Sequence, residues 1–483
     1  QIRDASVLAT LRHGASFSVP GAGKTRVALA VFQFRRSRGE VERALVIAPK
    51  SAFDAWDSEA LEVFGPGGLM VERWAGGPIP NADIVVTNYE RLADGVSALE
   101  TWLVSRPSML ILDEAHRMKR GQDGVFGAAC LRLGPRACHR LILTGTPAPN
   151  GPRDLESLMG FVWPGVGRAK VRSAVAGADL RSASAALRPL YVRTRKADLG
   201  LPPLTVRRRR VPLPPLHAQI YQALVGSVRP TSASTGGDIQ SLGRIVMYLL
   251  MAAVSPTFLT MGATRYEPVV YRVPPLDPPE GSPLAALLSD LPDYEISPKL
   301  AEAETIVRAN AAEGKKTLVW STFVRTLTTM SVMLDDLAPA VVYGGTVDRD
   351  TELRRFREDK DCFVLLSNPA TLGEGVSLHH WCHEAVYIDR DFAAGRYLQS
   401  VDRIHRLGLA PDTETAVTVI EAEGTIDEVV ALRLAAKVNF MEQVLDDPDL
   451  RELVDLDEEP SVAAGLDPSD VASLLVFLRD GTS

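Results

Sequence analysis

The sequence predicts an α/β protein of two lobes, each a parallel β-sheet covered by helices, with helical insertions between them and a short helical tail. Three observations carry this. Residues 1–160 alternate short β-rich runs with polar or helical stretches, and residues 296–440 repeat the alternation. The connecting stretch 161–295 is richer in Pro, Ser and Gly and carries helical rather than strand patterns. A chain of 483 residues also exceeds what one hydrophobic core organises.

In the first lobe the candidate strands are RALVIAP, ADIVVTN, SMLILDE and HRLILTG, apolar runs bounded by turn residues. In the second they are KTLVWS, PAVVYG, DCFVLLS, EAVYID and TAVTVI. Between the lobes, helical patterns run over Leu213–Val228 and Ile239–Val254, while TSASTGG and VPPLDPPEGSP read as exposed loops. Residues 441–483 form the tail, acidic from Glu442 to Glu459.

Apolar residues make up 46% of the chain and charged residues 23%, which places it among globular proteins rather than disordered ones. The longest apolar stretch, Ile245 to Phe258, falls short of the roughly 20 residues of a bilayer span and contains Ser255 and Pro256, so a buried helix is expected and no membrane partner. The chain opens on no basic region followed by an apolar one, which predicts a cytoplasmic protein, nucleoid-associated or, for a virus, in the host cytoplasm. Four cysteines without CxxC spacing indicate neither a zinc site nor a disulfide framework. A net charge of −7 excludes a uniformly basic polyanion binder, yet Arg193, Arg195, Lys196 and Arg207 to Arg210 concentrate positive charge.

The strongest local signal is SVPGAGKT, Ser18 to Thr25, ahead of a helical pattern. Gly21 and Gly23 let backbone N–H groups wrap phosphates, Lys24 reaches their outer oxygens, and the Thr25 hydroxyl suits Mg²⁺. ATP with Mg²⁺ is the expected cofactor. Ser18 stands where the general pattern has Gly. In MLILDEAH, an apolar run ends in two carboxylates: Asp113 suits the metal, and Glu114 suits a general base for an attacking water. His116 is expected to link this segment to LTGTP, whose hydroxyls are Thr144 and Thr146. In the second lobe QSVDRIHR sets Arg403 and Arg406 three residues apart, on one face of an expected helix, where they would neutralise charge on a γ-phosphate. A solvated basic face is the plainer alternative for that pair.

Taken in order, these segments resemble the superfamily two helicases, and in detail their SWI/SNF-type branch of double-stranded DNA translocases. LRPLYVRTRKADLGLPPLTVRRRRVPLPPLHAQIYQAL, Leu187 to Leu224, is similar to that branch's stretch after its first lobe. SPKL (297–300), WSTF (320–323), GEGVSL (373–378) and TIDEVV (425–430) resemble its second-lobe motifs, as does the spacing from Asp389 through Asp391 to Gln399. Ser377 and Leu409 depart from the usual Asn and Gln.

The resemblance implies two RecA-like lobes of the P-loop NTPase class and an ATP-dependent motor on double-stranded DNA, with branched or single-stranded DNA and partner proteins as further partners. It implies Gln399 in the catalytic set beside Glu114, Arg403 and Arg406, and an adenine-reading Gln near Gln1. Nucleic-acid contacts are implied at Lys50, Thr87, Ser321, Gly373 and Gly375. A strand-separating DNA or RNA helicase and a nucleotide-dependent clamp are the alternatives left open.

Overall fold

The computed structural model describes residues 1–19, 21–118, 120–145, 152–165, 169, 171, 190–194, 197–234, 239–268, 271–291, 296–372, 376, 378–406, 408–445, 466 and 468–480. The chain divides into two compact units, one of Gln1–Gly200 with Lys437–Glu459 and one of Leu201–Ala436 with Pro460–Ser483.

The first unit is built on strands β1 (Gly14–Ser16), β2 (Arg43–Ile47), β3 (Val71–Arg73), β4 (Ile84–Thr87), β5 (Ser108–Asp113), β6 (His139–Leu143) and β7 (Tyr191–Val192). They form one parallel sheet in the order β3-β4-β2-β5-β6-β1-β7. Helices cover both faces of such a sheet, so its central strands are apolar throughout, and β2, β4 and β5 are buried at every position. One face packs Ala44, Val46, Met109, Ile111 and Leu141 against Val27, Phe32 and Trp56. Burying each large side chain of this kind contributes roughly 1.5–3 kcal/mol.

The second unit holds β8 (Leu204–Val211), β9 (Thr317–Trp320), β10 (Ala340–Val342), β11 (Val364–Ser367), β12 (Glu384–Tyr387) and β13 (Thr415–Ala422). Its parallel sheet runs β10-β11-β9-β12-β13-β8. Leu318, Trp320, Leu365, Tyr387 and Val419 pack on Phe356, Val401 and Ile404. The two expected lobes are therefore both parallel-sheet α/β units.

Within 161–295, the helices Pro215–Ser234 and Ile239–Val254 form where their patterns place them. The same stretch also supplies β7 to the first sheet and β8 to the second. The acidic residues from 446 to 459 lie outside the described part of the chain. Among the described residues no helix is long and apolar enough to cross a membrane.

Candidate active site

The loop after β1 leads into the helix Lys24–Ser37, whose cap residue Gly23 has φ +80°. Gly21 shares that left-handed conformation. At Gly23 space decides as well, since a Cβ would stand 2.1 Å from Gln1 Nε2. The free N–H groups of the helix start and the loop glycines together form a cradle for an anion. Lys24 is buried, and its ammonium donates to Ser18 O at 3.0 Å, folded back over the loop it would release on meeting phosphate.

Ser18 has a structural task that the general pattern does not reveal. Its hydroxyl bonds Asp4 Oδ2 at 3.2 Å and accepts from Thr194 N at 2.9 Å. Asp4 also accepts from Thr194 Oγ1 and from Arg3, so the first helix, Ile2–Thr10, is tied to the phosphate loop. Gln1 Nε2 in turn donates to Ala22 O at 3.4 Å, which places this residue beside the loop.

Asp113 ends β5, level with Ser16 across the intervening β6. Both lie at the carboxyl edge of the sheet, where ligands of open α/β sheets bind. The Asp113 carboxylate accepts from Trp56 Nε1 at 2.9 Å and from Glu114 N at 3.0 Å, and Tyr89 donates to its carbonyl. Burial pushes the Asp113 carboxyl up to about 6, helped by the charge of Glu114 and opposed by Trp56 and Lys24. Burial pushes Glu114 up too, but His116, Lys24 and Arg117 outweigh it and hold that carboxyl at about 2. The pair therefore carries one proton into the weakly acidic range, with Glu114 ionised.

Glu114 sits at φ +48°, one of two non-glycine residues with positive φ among the described residues. Such strain costs on the order of 1–3 kcal/mol and is held by surrounding structure. Its Oε2 is buried with no hydrogen-bond partner among the described residues, and His116 Nδ1 stands 3.5 Å away. His116 Nδ1 also lies 3.2 Å from Thr144 Oγ1, the expected link to LTGTP. Thr146 and Pro147 lie outside the described residues. Thr25, at the second position of the loop helix, is half-buried. Lys24, Thr25 and Asp113 offer an ammonium, a hydroxyl and a carboxylate that could hold a phosphate group and a metal ion. The Glu114 Oε2 atom, which has only the His116 ring at 3.5 Å among the described residues, could accept from a water.

In the second unit the expected helix over QSVDRIHR is shorter than anticipated. It spans Ala394–Val401, so Gln399 is helical but Arg403 and Arg406 follow its end. The reason is local. The Arg403 carbonyl accepts from Leu378 N at 2.9 Å, and its guanidinium donates to Gln399 O and Val376 O, which turns the backbone out of the helix. Gln399 and Arg403 are buried, Arg406 is half-buried, and His405 bonds Pro202 O at 2.7 Å.

The expected nucleic-acid contacts are placed unevenly. Lys50 is exposed at the start of a short turn of helix. Thr87 is wholly buried, its hydroxyl donating to Trp74 O at 3.0 Å. Ser321 is likewise wholly buried and donates to Asp389 Oδ2, while Asp389 Oδ1 accepts from Thr322 N at 2.7 Å. Both hydroxyls fix strand ends from within. Gly373 and Gly375 lie outside the described residues. Trp56, Tyr89 and Asp4 escaped the sequence reading because their partners are distant in the chain and no local pattern marks them.

Residues 18–253 match the family described as SNF2-related domain. Protein CHROMATIN REMODELING 4 of Arabidopsis thaliana is 26% identical over 75% of this chain and 16% of its own length. The TATA-binding protein-associated factor MOT1 of Saccharomyces cerevisiae is 23% identical over 94% of this chain and 28% of its own. A probable global transactivator of Orgyia pseudotsugata multicapsid polyhedrosis virus is 24% identical over 88% of this chain and 85% of its own. The chain thus spans under a third of the length of the first two relatives. Among solved structures, the Sulfolobus solfataricus SWI2/SNF2 ATPase core in complex with dsDNA aligns over 95% of this chain and 96% of its own, at 22% identity and a TM-score of 0.39.

Proposed function

We propose that this chain, which carries an SNF2-related domain over residues 18–253, is an ATP-driven motor that translocates on double-stranded DNA. The observation that carries the reading is the buried Oε2 of Glu114, which accepts no hydrogen bond among the described residues and faces the His116 ring at 3.5 Å, on strained backbone beside Asp113.

In this reading Lys24, the loop N–H groups and Thr25 would bind the nucleotide phosphates, and Asp113 would help hold the metal. MgATP supplies the transferable phosphoryl group and the metal charge that stabilises it. Glu114, ionised at neutral pH, accepts the proton of the attacking water. Gln399, Arg403 and Arg406 are the further residues proposed to act in turnover, the arginines offsetting charge that develops on the phosphoryl oxygens. Gln1, whose side chain bonds Ala22 O, would read the base. DNA is held chiefly through phosphates, with Lys50 and the 373–375 segment among the contacts, so any choice of sequence falls to protein partners.

Two assays under identical ATP conditions test the movement: displacement of the third strand from a triplex and unwinding of a forked duplex. Translocation predicts triplex displacement without fork unwinding. Fork unwinding without triplex displacement would assign the chain to strand-separating helicases, and DNA binding without turnover would make it a clamp.

A further inference from the structure

Strand β8 is an edge of the second sheet and carries Arg207, Arg208, Arg209 and Arg210 in succession, all exposed. Register with β13 separates them onto two faces. Arg207 lies opposite Thr418 and Arg209 opposite Ile420, while Arg208 lies opposite Val419 and Arg210 opposite Glu421. The first pair is balanced by carboxylates, Arg207 at 3.8 Å from Glu384 and Arg209 at 3.9 Å from Glu302. The second pair is not. Glu421, beside Arg210, already bonds Arg390 at 2.8 Å, and neither Arg208 nor Arg210 has an ion-pair or hydrogen-bond partner among the described residues.

Charge on an edge strand blocks unwanted strand pairing, and that need accounts for some of these residues. It requires charge of either sign, and Arg207 and Arg209 with their carboxylates meet it. It does not account for two further arginines, unbalanced on one face of a chain whose net charge is −7. Residues two apart on a strand stand roughly 6.6 Å apart on the same side. Guanidinium groups at that spacing repel one another unless an anion lies along them, and their fork suits phosphate oxygens bidentately.

We infer that the Arg208–Arg210 face of β8 is a contact surface for the phosphate backbone of duplex DNA. The inference rests on the proposed motor function and adds to it a grip outside the sequence motifs. A repeating line of anions satisfies both arginines in one register, and the phosphates of a single strand provide such a line. The surface reads no bases, which suits a motor that moves along its track.

The experiment measures binding of a fluorescent 30-base-pair duplex against salt concentration for the unsubstituted chain, Arg208→Ala/Arg210→Ala, Arg208→Glu/Arg210→Glu and Arg207→Ala/Arg209→Ala. Each lost phosphate contact lowers the slope of log K against log salt by about 0.9, so the first double variant should lose nearly two units of slope and on the order of tenfold in affinity near physiological salt. The charge-reversed variant should lose more while its thermal melting stays unchanged, since edge protection survives the reversal. Arg207→Ala/Arg209→Ala should change the slope much less, and basal ATP turnover should be the same in all four.

Equal slopes for the unsubstituted chain and both Arg208/Arg210 variants would overturn the inference and leave the motor reading standing. Absence of duplex binding by the unsubstituted chain would overturn both. A synthetic peptide of residues 442–459, nine of whose residues are Asp or Glu, serves as the competing anion. If it bound the unsubstituted chain and not the charge-reversed one, with DNA affinity equal in the two, the face would hold that acidic stretch, and the inference would again be overturned.

Discussion

The ammonium of Lys299 meets the carboxylate of Asp427 at 2.6 Å in the core of the second unit, joining SPKL to TIDEVV across the sequence. Lys299 is wholly buried, and Asp427 also accepts from Ala422 N at 2.9 Å. Ser297, two residues earlier, donates to Val254 O, so the start of the 298–312 helix is clamped from both sides. These segments, read from sequence as family markers, are structural fasteners.

Removing one partner of a buried pair strands the other charge, at a cost of about 3–5 kcal/mol. Lys299→Met should therefore lower the melting temperature by on the order of 10 °C. Lys299→Met combined with Asp427→Leu should recover much of that loss. Calorimetry checks it: a single variant melting like the unsubstituted chain would show that the pair contributes nothing.

The Asp113 carboxyl, pushed up to about 6 by burial, sets a pH dependence of known sign. The native state holds this proton more tightly than an unfolded chain, where the group titrates near 3.8. The stability it contributes is complete below about pH 4 and is lost as pH rises through about 6. For turnover, kcat/KM should fall on the acid side of about pH 6 as the metal-orienting carboxylate protonates. Trp56→Phe removes a hydrogen bond that favours the ionised form, so the acid limb should move to higher pH. A limb that stayed in place would separate Trp56 from the titration.

The two arginines of QSVDRIHR should differ. Arg406→Ala should lower kcat by about 10³-fold or more, in the range of arginine fingers, with melting temperature and DNA affinity little changed. Arg403→Ala should lower kcat and also melting temperature, because its guanidinium holds the carbonyls of Val376 and Gln399. Loss of DNA binding with basal turnover intact in both variants would place them on DNA instead.

The strands legible in sequence were those with uninterrupted apolar runs, such as SMLILDE and TAVTVI, since a strand covered on both faces has to be apolar throughout. β8 was not legible as a strand, because four arginines erase the alternation and pairing with β13 alone makes it one. The phosphate loop and the paired carboxylates were legible because their chemistry fixes residue type and spacing within a few positions. Trp56 holding Asp113, and Asp4 holding Ser18, were not, because each contact joins residues that share no local pattern. Thr87 and Ser321 carry a related ambiguity. A hydroxyl at a strand end serves a ligand or the backbone equally well by composition, and only burial separates the two.

The most direct test of the account is steady-state ATP turnover with and without duplex DNA, for the unsubstituted chain and for Glu114→Gln, with nucleotide binding measured alongside. The account predicts slow turnover that rises severalfold with duplex. It also predicts that Glu114→Gln still binds ATP but turns it over at least about 10²-fold more slowly, the usual loss of a general base. Undiminished turnover in Glu114→Gln would contradict the assignment of the base, and turnover indifferent to DNA would contradict the motor.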